Sequence, residues 1–258
     1  MARKIVITSG KGGVGKTTIC ANLGTSLATS YSVCLIDGDI GLNNLDVVMN
    51  IENKVVYDVL DIVNGRCRAK QALVRDINFP NLYVLPSVKG GKITLDNFVK
   101  IIESLDSLFD FILIDCPAGM DIGFHRAVTV SDEAIVVSTP NISSIRDADK
   151  TISTLYTYNL DNIYLVINMV RGDLIVTGEM LSVADISKLL RMSPIGVIPA
   201  DDDVVLANAT TVYDKTKSSK AFMLLKDNIL GKTSYIYDDT KGYKGTFGKI
   251  RSRLKRIL

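Results

Sequence analysis

An α/β fold, with a mostly parallel β-sheet flanked by helices, is predicted by three features of the 258-residue chain. The first is a series of short apolar runs rich in Val and Ile: IVIT (5–8), VCLID (33–37), LYVLP (82–86), FILID (111–115), AIVVS (134–138), IYLVI (163–167) and PIGVI (194–198). They lack strict alternation, which marks strands buried on both faces. The second is the set of longer segments between them, with room for helices at 17–29, 96–108, 145–158, 182–190 and 218–230. In 96–108, for instance, Phe98, Ile101, Ile102 and Leu105 fall at helical spacing. Strand, helix, strand at this rhythm implies parallel strands joined by right-handed crossovers. Ligands of such sheets bind beyond the carboxyl ends of the strands. The third feature is a glycine-rich loop directly after the first run.

The length fits one large domain, since single cores stop growing near roughly 250–300 residues. Residues 1–231 read as that domain. Residues 232–246 are rich in Tyr, Gly, Asp, Thr and Lys, without apolar periodicity, and read as a tether. The net charge of +2 decides nothing, but its distribution does: residues 241–258 hold seven Lys or Arg and no acid, leaving −5 on residues 1–240. The cysteines Cys20, Cys34, Cys67 and Cys116 match no metal spacing, and the sole histidine, His125, cannot complete one. Three of them lie in or beside apolar runs as small buried hydrophobes, consistent with a reducing compartment. The opening MARKIVITSGK reads as a buried first strand and not as a signal peptide. No window approaches the roughly 20 apolar residues of a spanning helix.

Residues 10–18, GKGGVGKTT, contain G-x-x-x-x-G-K-[ST] between a strand and a helix candidate, the context a P-loop requires. Gly10, Gly12, Gly13 and Gly15 allow the tight turn, so that the amides of the loop, Val14 included, can face phosphate oxygens. The helix starting near Lys16 points its positive end at the same place. Lys16 is placed to reach the β- and γ-phosphates of ATP, Thr17 to put its hydroxyl on Mg²⁺, and Thr18 to add an α-phosphate contact. Lys11, on the loop itself, reads either as a solvated lysine or as a second phosphate-directed cation, serving the site of a partner subunit.

Acidic residues stand at the strand ends. The run 33–37 closes in Asp37, followed by Gly38 and Asp39; the run 111–115 closes in Asp115, followed by Cys116, Pro117, Ala118 and Gly119. A hydrophobic strand ending in Asp is the second half of a P-loop site, its carboxylate holding Mg²⁺ directly or through water. Asp115 fits best, Asp39 is the candidate to orient the attacking water, and Asp37 to support the metal shell. A lone Asp after a strand is often only a turn or cap residue. Three beside a glycine loop make a site. Gly119 can turn its amide to the γ-phosphate, which makes 115–123 a switch segment. Later strand ends carry Asn168, Pro199 and Asp201, where an adenine could reach them. An Asn amide both donates to and accepts from its edge, while loop capping by these residues stays open.

The last fourteen residues, GTFGKIRSRLKRIL, place Phe247, Ile250, Leu254, Ile257 and Leu258 on one helical face, with Lys249, Arg251, Arg253, Lys255 and Arg256 around it. A basic amphipathic helix over 247–258 suits an anionic membrane surface. A helix packed on its own domain and a nucleic-acid arm are the alternatives.

The loop KGGVGKTT resembles that of the deviant Walker A ATPases, the P-loop family containing the partition proteins of plasmids and chromosomes. Longer stretches resemble its division-site-placing branch, known from bacteria and plastids: DGDIGLNNLDVVM (37–49), VVYDVLDIVNG (55–65), DCPAG (115–119), STPNISSIRDADK (138–150), NMVRGD (168–173) and GVIPADDDVV (196–205). The resemblance implies a homodimer sandwiching two ATPs, with Lys11 crossing to the other subunit's phosphates. It implies Asp39 on the lytic water, Asp115 in the Mg²⁺ shell, and Asn168 and Asp201 at the adenine. It further implies a peripheral protein of the inner face of the cell membrane, or its plastid equivalent, that recruits a division inhibitor and is released by a small activator. A DNA-partitioning relative would want a basic body, and this body is net negative; a flagellar-placement relative is disfavoured by VVYDVLDIVNG and NMVRGD. Three features depart from the pattern: Met169 where arginine is common, SVKGGKI at 87–93, and His125, which reads as a packing or surface group.

Overall fold

The computed structural model describes residues 1–40, 44–87, 91–201, 216–244 and 248. Within them, eight strands share one sheet: β1 (Arg3–Thr8), β2 (Val33–Asp37), β3 (Val74–Arg75), β4 (Leu82–Leu85), β5 (Phe111–Asp115), β6 (Glu133–Ser138), β7 (Asn162–Val170) and β8 (Pro194–Pro199). The order across it is β3-β4-β2-β5-β1-β6-β7-β8, parallel throughout except between β3 and β4. The seven apolar runs are the seven parallel strands. β3 is too short to leave a pattern, and its place comes from pairing Val74 with Val84.

The described helices are α1 (Lys16–Ala28), α2 (Asn44–Val48), α3 (Val59–Val63), α4 (Ala69–Ala72), α5 (Leu95–Leu105), α6 (Ile122–Thr129), α7 (Ile142–Leu155), α8 (Gly172–Val176), α9 (Val183–Leu190) and α10 (Lys217–Ile229). The five predicted helices are α1, α5, α7, α9 and α10, with ends that agree to within a turn. Of the others, α6 is as long as α9 and lies outside the sequence expectation; α2, α3, α4 and α8 are shorter than a readable period, and local bonds start some of them. Asp121 caps α6 by accepting from the amides of Gly123 at 3.0 Å and Phe124 at 3.4 Å.

Both faces of the sheet are covered, which is why its strands read as continuous apolar runs. On β1, Ile5 and Ile7 point into the layer formed with Leu23 and Leu27 of α1 and Phe222 and Leu225 of α10. Val6 points into the opposite layer, with Phe98 of α5, Phe124 of α6 and Ile152 of α7. Each such side chain, fully buried, is worth about 1.5–3 kcal/mol over its exposed form.

One sequence expectation is corrected. Residues 232–244 do not trail away as a tether. They fold back on the domain, where Asp239 and Tyr243 are buried in a 3-10 turn at Asp239–Tyr243. Asp239 accepts from the Gly172 amide at 2.7 Å and from Lys217 Nζ at 2.9 Å. Gly172 has no room for a Cβ, because the Asp239 backbone lies against it. Hydrophilic composition hid this docking, which combines hydrogen bonds with the buried Tyr243 ring and the packing of Ile236 and Tyr237 against the core, without a periodic apolar stripe. The helix expected over 247–258 lies outside the described residues, apart from Gly248.

Candidate nucleotide site

Parallel strands set their carboxyl ends side by side, so β1, β2 and β5 deliver Thr8, Asp37 and Asp115 to one edge; Asp37 and Asp115 are register partners. Beyond β1, where the order of connections reverses, the chain enters the glycine loop. Gly13 and Gly15 take φ of +76° and +91°, a left-handed conformation that costs glycine least. Gly15 is the N-cap of α1 without a side-chain cap, and no acidic residue stands in the first turn. The amides and the positive pole of this helix therefore have no neutralising cap or acid from the helix's own first turn. Nothing lies within contact of a Cβ built on Gly13. An open concavity lined by backbone donors fits a phosphate chain.

Behind the loop, Thr17 Oγ1 donates to Asp115 Oδ2 at 2.6 Å. The other oxygen, Asp115 Oδ1, is buried without a hydrogen-bond partner among the described residues. Burial pushes the Asp115 carboxyl up to about 6, against the Thr17 hydroxyl and the Lys16 ammonium, which hold it down. A hydroxyl and a carboxylate with one oxygen unpartnered among the described residues together form the hard oxygen donor set that suits Mg²⁺. Asp37 is also fully buried, and its carboxyl rises to about 7, first by burial and then by the neighbouring Asp115 charge. Its oxygens accept from the backbone amides of Asp39 at 2.9 Å and Leu45 at 3.3 Å. Asp115 is thus the better placed of the two for a cation, and Asp37 shapes the loop that carries Asp39. Asp39 is half-buried, its carboxyl raised by burial and lowered by Lys16. Gly119 has φ of +89° and open space at its Cβ position, and Gly12 stands opposite Ala118.

The predicted base-side residues converge on the same edge. Asn168, buried near the end of β7, donates from Nδ2 to the Val14 carbonyl at 2.8 Å, and a Cβ on Gly15 would collide with that same Nδ2. β7 carries one residue more than β8 between its pairings Ile167↔Val197 and Val170↔Pro199, and at this bulge Met169 takes φ +58° and is 43% exposed. Met169 lines a cleft of about 540 Å³ with Lys11, Gly12, Thr139 and Asn141. Ala200, between Pro199 and Asp201, donates its amide to the Val170 carbonyl. Asp201 is half-buried and accepts from the Ser218 amide at 3.2 Å, so it holds the start of α10 as well as standing at the strand end. Thr18 is half-buried on the first turn of α1. Lys11 is exposed on the rim and donates to Ser143 Oγ of α7 at 3.0 Å.

Sequence reasoning missed Arg126. It looks like a solvated residue of α6, but it is buried with its guanidinium bonded to the Ile93 and Gly38 carbonyls. No pattern announces it, because its partners are backbone atoms of distant loops. His125 is on the surface against the Tyr158 hydroxyl and the Phe124 ring. Burial pushes the Cys116 thiol up to about 12, a packing group and not a nucleophile. Among the described residues, no cluster of three or more His, Cys, Asp or Glu could hold a metal, and no helix is long and apolar enough to cross a membrane.

The chain matches the family model of the CobQ/CobB/MinD/ParA nucleotide binding domain over residues 5–212. It is 44% identical to a putative septum site-determining protein MinD of Chlorella vulgaris, over 97% of this chain and 93% of that protein. Among solved structures it is similar to the MinC:MinD cell division protein complex of Aquifex aeolicus, with TM-score 0.84 and 40% identity over 90% of this chain and 97% of that one. It is also similar to MinD of Pyrococcus horikoshii complexed with Mg-ADP, with TM-score 0.81 and 29% identity over 91% of this chain and 99% of that one. A glycine loop of P-loop sequence backed by Thr17 and Asp115, on this sheet and with these relatives, places the chain in the MinD family of septum site-determining, nucleotide-binding ATPases.

Proposed function

We propose that the chain is an ATP-hydrolysing membrane switch that helps place the cell-division site. With ATP it forms a homodimer. The dimer binds an anionic membrane on the cytoplasmic face, or its plastid equivalent, through residues 247–258 and there recruits a MinC-like division inhibitor. A small MinE-like activator promotes hydrolysis and release. The observation that carries the catalytic part is the Thr17–Asp115 pair beneath the uncapped amino end of α1.

In this reading the loop amides from Gly12 to Thr17 receive the phosphates, and Lys16 neutralises the β- and γ-oxygens. Thr17 and Asp115 hold Mg²⁺, which when bound supplies charge neutralisation at the phosphates. Asp39 orients the attacking water, and the Gly119 amide turns to the γ-phosphate. Asn168 and Asp201 hold the adenine, with Pro199 beside them. Lys11 reaches across the dimer. Its bond to Ser143 is exposed, so exchanging that bond for a partner's phosphate costs little.

The membrane part is supported by the tail. Five apolar side chains at about 1.5 kcal/mol each offer roughly 7 kcal/mol, which ordering the helix backbone largely cancels. Basic residues near anionic lipid add about 1 kcal/mol each. One tail therefore binds weakly, and two tails on one dimer bind firmly through effective concentration. Co-sedimentation with phosphatidylglycerol-containing liposomes tests this. Pelleting is expected with ATP and little with ADP or without nucleotide, and Leu254→Glu is expected to abolish it while nucleotide binding persists. Replacing Arg251 and Arg253 with Gln is expected to weaken it moderately, most at low salt. Equal pelleting by Leu254→Glu and the unchanged chain would end the membrane reading.

A further inference from the structure

Arg126 is 8% exposed and sits on α6, the helix that follows the Asp115–Gly119 segment. Its Nη1 donates to the Ile93 carbonyl at 3.1 Å and its Nη2 to the Gly38 carbonyl at 3.2 Å, while the guanidinium lies 5.5 Å from the centre of the Phe98 ring. Among the described residues, Nε is buried without a hydrogen-bond partner, and no carboxylate forms an ion pair with this arginine. Burying a guanidinium this way is unfavourable beside an apolar residue of similar volume. What Arg126 contributes lies in the two carbonyls it grips and in its charge, which Asp39 and Asp121 both feel.

The Gly38 carbonyl belongs to the peptide that leads into Asp39. The N–H of that peptide, on Asp39, donates to Asp37 Oδ1 at 2.9 Å, and the preceding N–H, on Gly38, donates to the Asp115 carbonyl at 2.9 Å. A Cβ on Gly38 would come within 2.8 Å of that carbonyl oxygen, so the turn sits directly against β5. With both ends of the Gly38–Asp39 peptide bonded, its plane is held, and the backbone from which Asp39 projects is held with it. Asp37 and Asp115 supply the bonds from the strand ends; Arg126 alone supplies the one from the helix behind the switch segment. The bond to Ile93 ties in the end of SVKGGKI, the stretch that departs from the family pattern.

We propose that Arg126 is a positioning residue for ATP hydrolysis, aiming Asp39 at the attacking water by holding the Gly38 carbonyl against α6. This rests on the reading of Asp39 as the group that orients the water. Misplacement of a reacting group by about 1 Å can cost about a hundredfold in rate, so a loosened peptide lowers turnover without loosening the phosphate loop.

The experiment is a double-mutant cycle on the full chain with Arg126→Met and Asp39→Ala. It is read by single-turnover ATP hydrolysis and by calorimetric ATP affinity, with melting curves in parallel. Methionine keeps the stem over Phe98 and loses both donors. Arg126→Met is expected to lower the single-turnover rate about tenfold with the ATP Kd changed less than about twofold, and to add nothing in the Asp39→Ala background. Arg126→Lys, which can serve one carbonyl, is expected to recover part of the rate. An unchanged single-turnover rate in Arg126→Met beside a slow Asp39→Ala overturns the proposal alone, as does an equal fall in both backgrounds. A loss of rate matched by loss of ATP-binding sites assigns Arg126 to folding and overturns it too. Full activity in Asp39→Ala overturns the reading beneath it. If Arg126→Met does not fold, Arg126→Lys and Arg126→Gln carry the same cycle with the same criteria.

Discussion

Asp115→Asn should stabilise the nucleotide-free chain at about pH 8 and, with Asp115 in the proposed Mg²⁺ site, weaken nucleotide binding in the presence of Mg²⁺. The side chain is 2% exposed, and its carboxyl titrates at about 6 in the folded chain against an ordinary 3.8. A folded carboxyl with a raised pKa binds its proton more tightly than the unfolded chain does. Stability is therefore lost as pH rises from the unfolded value through the folded one, and the loss is complete above about pH 7. At about 1.4 kcal/mol per pH unit, the difference is worth about 3 kcal/mol. Asparagine keeps the shape, and its carbonyl still accepts from the Thr17 hydroxyl. It carries no charge in either state, so that amount returns. It also removes the like charge that helps to raise Asp37, an effect of the same sign. Urea unfolding near pH 8 should show the variant more stable by about 3 kcal/mol, and near pH 4 by less than about 1 kcal/mol. Calorimetry with Mg-ATP should show the opposite order of affinity. A variant less stable than the unchanged chain at pH 8, or equally stabilised at both pH values, would refute this account of the carboxylate.

Lys16→Ala should abolish tight ATP binding, since the β- and γ-phosphates lose their cation; unchanged affinity and turnover in calorimetry and phosphate release would remove the P-loop assignment. Asp39→Ala should bind ATP and accumulate as a dimer, seen as a doubled mass in light scattering with ATP and not with ADP; a persistent monomer would contradict the sandwich. Asp239→Ala leaves the buried Gly172 amide without its acceptor and should cost roughly 1–3 kcal/mol. Its melting temperature should fall by several degrees with ATP affinity retained, and an unaltered melting curve would show that the 3-10 turn adds nothing to the domain.

The sequence by itself determined the seven parallel strands, because strands buried on both faces must be apolar along their whole length, as VCLID and FILID are. It also determined the phosphate loop and the carboxylates beside it, because a parallel sheet delivers every strand's last residue to one edge. Spacing along the chain and chemistry at the site then coincide, as in Gly15, Lys16, Thr17, Asp37 and Asp115. Tertiary structure decided what depends on partners remote in sequence. Asp37 and Asp115 look alike as strand-final acids, but two backbone amides engage the first, while Thr17 engages the second, whose other oxygen has no hydrogen-bond partner among the described residues. Residues 232–244 look like a linker until Gly172 and Lys217 supply the bonds that seat Asp239. Arg126 looks solvated until the Gly38 and Ile93 carbonyls arrive from two other loops. Hydrophobic burial leaves a periodic trace in a sequence because it acts on whole faces. A single hydrogen bond to a distant backbone atom leaves none, and such bonds orient the groups at this site.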